Sequence, residues 1–242
     1  MIKNLPLLFL FLLLNLQVKA NEPEEMRAVW LTTNYQLDWP SETGVSDRVI
    51  MRQKAELVKM LNQLQHVGLN TIFFQARLKG TVFYHSAIEG QSKYQTGKAG
   101  VRSSFDALAF VVEECHKRGM KCHAWMVCMP LGGKKYIQQN GLDAFVRKNS
   151  SFITLHQGEY YLEPSAVQTA DYLASIAEEM VRNYNIDGVH LDYIRYPENA
   201  ALYPDRKRYD KSGKKESFAQ WRRNNITNIV YTIYDRIKAV RS

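Results

Sequence analysis

The chain has 242 residues, of which 45% are hydrophobic and 23% charged, and its formal net charge is +8. This length suits one domain with a sizeable core, and the composition excludes an intrinsically disordered or collagen-like chain. Much of the basic excess lies near the C-terminus, at 206–208, 211, 214–215 and 222–223. No nucleic-acid-binding motif accompanies it, so we interpret it as solvated surface charge and expect no nucleic-acid partner.

Residues 1–20 have the pattern of a secretory signal peptide. Lys3 precedes an unbroken apolar run over Leu7–Leu14, and the small residue Ala20 follows it at a position suited to cleavage. The apolar run is too short to span a bilayer comfortably. We therefore expect a secreted or periplasmic protein that begins near Asn21 and has no stable membrane anchor after cleavage.

From Met26 onwards, hydrophobic patterning predicts strands that alternate with helices. The predicted strands cover 26–33, 70–76, 120–127 and 187–194. The predicted helices begin near Asp47, at the cap Ser104, at the cap Ser165 and near Ser217. Between 128 and 164 lies a long excursion in which FITL and EYYL suggest a small hairpin.

Strands separated by helices predict parallel pairing with crossover connections. The connections after the strands are long and those after the helices are short, which places function at the carboxyl ends of the strands. Only four βα units are visible, whereas an eight-unit barrel takes about 250 residues without such long loops. A truncated barrel, a four-unit open sheet and a sheet that pairs with another copy are all consistent with this count.

Side-chain alternation along the strands indicates a cluster of polar residues on one face of the sheet. Each of the last three strands has one apolar face and one face that becomes polar towards its carboxyl end. The side chains expected to converge there are Gln75, Arg77, His123, Trp125, His190 and Asp192. Soluble cores seldom bury so many polar groups without a purpose, so the cluster predicts a site.

No motif predicts a metal or another cofactor. Cys115, Cys122 and Cys128 fall in segments predicted to be buried, where free thiols are ordinary, and we expect neither a disulfide framework nor a metal site from them. The histidines also lack the spacing of a recognised metal motif.

The chain resembles the glycosyl-hydrolase-like-10 family. The matching segments are MRAVWLTT, LNTIFFQARLKG, YHSAIE, FDALAFVVEECHKRGMKCHAWMV, YYLEPS, DGVHLDYIRYP and WRRNNI. The resemblance implies a TIM (β/α)8-type barrel akin to the α-amylase-like glycosidases, and a role in cleaving peptidoglycan glycan strands, notably strands without peptides. It also implies that residues 21–242 form the N-terminal half of the barrel, about the first four βα units.

By analogy with such barrels, Asp192 would be the catalytic carboxylate, acting as the ionised nucleophile or charge stabiliser. Arg77, Arg195 or both would keep it ionised by their positive charge. The best candidate for the general acid is Glu163, although the acid could equally belong to a fifth or later strand.

The remaining candidates would bind the polysaccharide substrate. We expect hydrogen bonds to sugar hydroxyls from His123 and His190, a stacking face from Tyr193 or Trp125, and further polar contacts from Gln75, Arg77 and Arg195.

Three other functions are consistent with the same residues. A carbohydrate-binding barrel without catalysis would bind glycan but not cleave it. A metal-dependent polysaccharide deacetylase would use His123, His190 and Asp192 as ligands. A purely structural envelope protein is the weakest of the three, because it leaves the polar strand ends unexplained.

Overall fold

The computed structural model describes residues 25–241, and the predicted signal peptide lies outside them. Among these residues, the strands are, in chain order, β1 (Ala28–Leu31), β2 (Thr71–Leu78), β3 (Thr81–Val82), β4 (Lys121–Val127), β5 (Pro130–Gly133), β6 (Ile153–His156), β7 (Glu159–Leu162) and β8 (Gly188–Asp192). The helices are α1 (Asp47–His66), α2 (Lys93–Thr96), α3 (Ala107–Lys117), α4 (Lys134–Gln139), α5 (Asp143–Lys148), α6 (Val167–Asn183), α7 (Arg206–Ser212) and α8 (Phe218–Val240).

The main sheet is parallel in the order β1-β2-β4-β8, and the short β3 pairs antiparallel with β2. All four predicted strands are present, and the longer helices α1, α3, α6 and α8 alternate with them as the hydrophobic periodicity predicted. The carboxyl ends of the four parallel strands therefore meet along one edge.

Two of the predicted helix caps were wrong. Helix α3 is capped by Asp106, whose side chain accepts a hydrogen bond from the Ala109 amide, rather than by Ser104. Helix α6 begins after Ala166 without a side-chain cap, and Ser165 instead donates to Glu163. The predicted start of the last helix near Ser217 is confirmed, and the Ser217 side chain caps α8 by accepting a hydrogen bond from the Gln220 amide.

One face of the main sheet is covered by helices and forms the core. Ile72, Phe74, Cys122, Ala124 and Met126 are fully buried on this face, as strand alternation predicted. The covering helices add fully buried side chains of their own: Leu57 and Leu61 from α1, and Leu173 and Ile176 from α6. Each such aliphatic side chain contributes roughly 1.5–3 kcal/mol by leaving water.

A second, three-stranded antiparallel sheet stands beyond the end of β4, in the order β5-β7-β6. The predicted hairpin is confirmed as β6 and β7, joined by a tight turn in which Gln157 and Gly158 have left-handed backbones with φ of 48° and 84°. Strand β5 was not predicted. This sheet brings the tip of the hairpin, with His156 and Glu159, towards the ends of the parallel strands.

All three cysteines are buried and carry free thiols. Within residues 25–241, no helix combines the length and the apolar character that crossing a lipid bilayer requires.

Candidate active site

A pocket of about 580 Å³ opens at the carboxyl ends of the parallel strands, where the connection lengths predicted a site. This volume falls within the usual range for small-ligand sites. Its lining residues come from all four parallel strands or the loops after them and from the second sheet: Thr32, Asn34, Gln75, Leu78, Lys79, Trp125, Val127, Met129, Pro130, His156, Gln157, Glu159, Tyr161, Asp192, Tyr193, Arg195, Tyr196, Pro197, Glu198 and Asn199.

Asp192 is the last residue of β8, and its carboxylate lines this pocket. Strand pairing places Asp192 opposite Val127, at the end of β4. The indole Nε1 of Trp125 donates to Oδ2 at 2.9 Å, and the amide of Tyr193 donates to Oδ1 at 2.7 Å. Both carboxylate oxygens are thus oriented by fixed donors, while the group remains accessible from the pocket.

Trp125 and Gln75 form the rest of the pocket floor beside Asp192. They are register partners on β4 and β2, and both line the pocket. The Gln75 amide oxygen accepts from the Thr32 hydroxyl, the Thr33 amide and the Thr33 hydroxyl at 2.9–3.0 Å. Gln75 therefore anchors the start of the loop after β1, and Trp125 orients the carboxylate.

Tyr193 and Arg195 follow Asp192 and line the pocket wall. Tyr193 has a left-handed backbone, with φ of 49°, and its side chain is half exposed. The guanidinium carbon of Arg195 lies 5.3 Å from the centre of the Tyr193 ring, within cation–π range. The structure therefore brings these two predicted binding residues together at the pocket.

His123 and His190 lie on the same face of the sheet but below the pocket, outside its lining. His190 Nε2 accepts a hydrogen bond from the Trp30 indole at 3.2 Å, and its ring centre lies 4.7 Å from that of Phe73. The His123 ring packs edge-on against Phe73. The predicted bonds from the two histidines to sugar hydroxyls therefore have no support from the pocket geometry.

The layer below the pocket is tightly packed around His123. Burial lowers the pKa of His123. Asp187 opposes this effect, whereas the neighbouring His190 and Lys121 add to it. The register partner of His123 is Gly188, where an added Cβ would lie 2.6 Å from His123 Nδ1. A side chain at position 188 would require this imidazole to move.

The prediction that Arg77 binds substrate was wrong, and a β-bulge explains why. The pairing of β2 with β4 shifts by one residue between Gln75 and Arg77, so Arg77 aligns with Met126 on the helix-covered face. Its side chain is fully buried and pairs with Glu89 through Nε at 2.9 Å and Nη2 at 2.7 Å. Arg77 is thus unable to contact a ligand in the pocket.

Arg77 has a structural role behind the pocket floor. Its Nη1 donates to the carbonyl oxygens of Val127 and Cys128, at the end of β4. The hydroxyl of Tyr172 on α6 donates at 2.5 Å to Glu89 Oε1, the same oxygen that Arg77 Nη2 contacts. Burial is the largest effect on the pKa of Arg77 and lowers it, but Glu89, Tyr172 and Cys128 together raise the pKa above its usual value.

Glu163, the predicted general acid, is also absent from the pocket lining. Its side chain is fully buried, and Thr154 and Ser165 each donate to it at 2.7 Å, with Tyr203 donating at 3.1 Å. The nearest cation, Arg208, lies 3.8 Å away. This carboxylate holds the loop after β7 to the second sheet, and the geometry gives it no access to a substrate.

Two carboxylates that sequence reasoning missed do line the pocket. Glu159 stands at the start of β7 and accepts a hydrogen bond from the Tyr161 hydroxyl at 3.2 Å. Glu198 lies in the loop after β8, and its carbonyl oxygen is within 3.2 Å of His156 Nε2. Burial raises the pKa of Tyr161, and both Glu159 and Glu198 add to the rise. The two acids therefore stand close to the same tyrosine.

The long loops after the strands were the only sequence signal for these carboxylates, because their positions depend on how the second sheet folds back. Within residues 25–241, no group of three or more histidine, cysteine, aspartate or glutamate side chains is arranged to hold a metal ion. His123, His190 and Asp192, the ligand set of the deacetylase alternative, do not form such a group.

Residues 25–242 match the family model described as Glycosyl hydrolase-like 10. The chain is 33% identical over 228 residues to glycosyl hydrolase YngK of Bacillus subtilis, covering 92% of this chain and 44% of that protein. It is 31% identical over 240 residues to glycosyl hydrolase DigH of Escherichia coli K12, covering 90% of this chain and 53% of the relative. The chain thus spans about half the length of these relatives.

The fold is similar to that of solved glycoside hydrolases with TIM barrels. An α-L-fucosidase from Paenibacillus thiaminolyticus matches with a TM-score of 0.55 at 16% identity, over 90% of this chain and 31% of its own. An α-galactosidase from Thermus thermophilus matches with a TM-score of 0.52 at 9% identity, over 89% of this chain and 36% of its own. At these identities the likeness concerns the fold alone, and it confirms the predicted barrel-type α/β class.

Proposed function

Because the chain belongs to the glycosyl hydrolase-like 10 family, we propose that it takes part in cleaving a bacterial cell-wall glycan, with Asp192 as a catalytic carboxylate. The substrate we assign is the peptide-free glycan strand of peptidoglycan. The proposed location is outside the cytoplasm, which rests on the signal-like pattern of residues 1–20.

The observation that carries this proposal is the position of the Asp192 carboxylate. It lies at the carboxyl end of a parallel strand, in the pocket, and is oriented by Trp125 and by the Tyr193 amide. Active sites of barrel enzymes lie at this end of the strands. A carboxylate fixed there can stabilise the positive charge that develops on a sugar ring as its glycosidic bond breaks.

Glycosidic cleavage also requires a proton donor to the leaving oxygen, usually a second carboxyl group. In this proposal the donor is one of the two other carboxyl groups of the pocket, Glu159 or Glu198, and not the buried Glu163. The Tyr161 hydroxyl, which donates to Glu159, would fix the orientation of that side chain. Single Glu159→Gln and Glu198→Gln variants assign the role to whichever loses the greater part of the turnover.

The test is the release of soluble fragments from purified peptidoglycan strands whose peptides have been removed by an amidase. Asp192→Asn keeps the size of the side chain and one acceptor oxygen but removes the charge. We expect it to lower kcat by about 10²- to 10³-fold or more while leaving the fold intact, since a fixed group that stabilises developing charge contributes on this scale.

Asp235→Asn is the matched control, because Asp235 is exposed on α8, away from the pocket lining. It should retain full activity. Near-normal fragment release by Asp192→Asn would reject the catalytic role. Binding of the strands without fragment release by the unaltered protein would instead assign it as a carbohydrate-binding barrel.

A further inference from the structure

We propose that the loop after β1 forms a second sugar-binding site next to the pocket, in which a pyranose ring of the bound glycan packs against Tyr35. Asn34 and Lys79 supply the polar contacts of this site. The inference rests on the proposed function, since it assigns a further sugar of the same chain to this loop.

The first observation is an exposed aromatic ring on a strained backbone. Tyr35 keeps 61% of its surface exposed. Tyr35 and the next residue, Gln36, both have left-handed backbones, with φ of 52° and 58°. Residues with a side chain disfavour this conformation, and strain of this kind is concentrated at functional sites.

The loop that carries Tyr35 is well anchored. The side-chain Nε2 of Gln36 donates to the Pro40 carbonyl oxygen at 3.0 Å, and the backbone amide of Thr32 donates to the Asp38 carboxylate at 2.8 Å. The ring itself meets Tyr94 edge-on at 6.0 Å between centres. The tyrosine is therefore presented to solvent in a fixed orientation, as a stacking surface for the apolar face of a sugar would require.

The second observation is an acceptor without a donor. The side-chain oxygen of Asn34 is buried and has no hydrogen-bond partner within the described residues. Asn34 lines the pocket immediately before Tyr35. A buried acceptor left unpaired is costly, and a sugar hydroxyl or an acetamido N–H entering the pocket would satisfy it.

The third observation is a lysine that lies between the pocket and Tyr35. Lys79 lines the pocket, and its Nζ is 5.8 Å from the centre of the Tyr35 ring and 5.4 Å from that of Tyr136. It occupies the two-residue turn between β2 and β3, where Lys79 and Gly80 have φ of 48° and 80°.

None of the carboxylates of residues 25–241 lies within ion-pair distance of Lys79. Its ammonium group is therefore available to donate to sugar oxygens. Within the described residues, an exposed aromatic ring, an acceptor without a donor and a cation that no carboxylate neutralises lie together beside the pocket, and they match the chemistry of a pyranose.

The experiment measures affinity by isothermal titration calorimetry in the Asp192→Asn background, where turnover is suppressed. The probes are peptide-free peptidoglycan oligosaccharides of two and of six sugars. The six-sugar probe should bind more tightly than the two-sugar probe. Tyr35→Ala should weaken binding of the six-sugar probe by about 2- to 12-fold, in line with the energy of an aromatic contact, and leave the two-sugar probe unchanged.

Three variants serve as controls. Tyr35→Phe keeps the ring and should keep the affinity. Tyr35→Asn, which tolerates a left-handed backbone better, should lose the affinity without losing thermal stability. Tyr231→Ala removes an equally exposed tyrosine from α8 and should change neither quantity.

Unchanged six-sugar affinity in Tyr35→Ala, or equal weakening of both probes, would overturn the second site and leave the proposed function standing. Failure of both probes to bind the parent protein would overturn the proposed function and this site together.

Discussion

Two polar regions lie on opposite sides of the same sheet, and they differ in what their polar groups contact. The pocket floor, formed by Gln75, Trp125 and Asp192, faces a cavity. The buried cluster behind it contains Arg77 and Glu89, together with the mostly buried Tyr172, whose hydroxyl binds Glu89.

In the buried cluster the two opposite charges satisfy each other, whereas the pocket floor leaves a carboxylate accessible. A charged residue at a strand end thus indicates a site only if no opposite charge within the protein pairs with it. One extra residue in β2 determines that the Arg77 side chain lies on the helix-covered face of the sheet and not on the pocket face.

The largest effect should come from breaking the buried ion pair. Arg77→Met leaves the Glu89 carboxylate buried without a counter-charge, and we expect the free energy of unfolding to fall by about 3–5 kcal/mol. Urea denaturation monitored by tryptophan fluorescence measures this free energy of unfolding. Arg195→Met is the matched control from the pocket side, because Arg195 is exposed and forms no ion pair within the described residues. Its free energy of unfolding should change by no more than about 0.5 kcal/mol. Equal losses in both variants would remove the distinction between the two regions.

An intermediate effect should follow from Glu163→Gln. The substitution keeps the size of the side chain but replaces one acceptor oxygen with a donor, which faces the hydroxyls of Thr154, Ser165 and Tyr203. We expect a loss of about 1–3 kcal/mol of stability, with glycan release per folded molecule unchanged. Lost turnover in a fully stable variant would instead restore Glu163 as the general acid.

The smallest effect should come from the pocket floor itself, through Trp125→Phe. The phenyl ring fills most of the indole's space but cannot donate to Asp192 Oδ2. The loss of one hydrogen bond to a charged group should lower kcat roughly tenfold and leave KM nearly unchanged, because the carboxylate loses its orientation. Steady-state kinetics on peptide-free strands would check this, and a rise in KM at constant kcat would identify Trp125 as a sugar contact instead.

Alternation along single strands predicted much of the fold and part of the site. It placed Gln75, Trp125 and Asp192 together at the pocket, because each lies in a regular strand with a regular register. It failed at Arg77, where the strand contains an inserted residue that hydrophobic patterning does not reveal. Alternation also does not show how far along a strand a side chain lies from the pocket. His123 and His190 were therefore expected in the pocket, but they lie beneath it.

The errors in the loops have a different origin. Glu163 and Glu159 both lie in the long excursion after β4, and only the packing of the second sheet decides which of them faces the pocket. Lys79 depends on a two-residue hairpin at the end of β2, and Glu198 on the path of the loop after β8. These positions result from tertiary contacts between segments far apart in the sequence, which no local pattern encodes.

Gly188 has no side chain, and its register partner on β4, His123, fills the space beside it. The imidazole of His123 occupies the space that any larger residue at 188 would need, so the two sites share one fixed volume. A side chain added at 188 would displace the His123 ring, so a smaller residue at 123 should make an enlargement at 188 easier to accommodate. We therefore expect paired changes at 123 and 188 to cost less stability than a single replacement at 188.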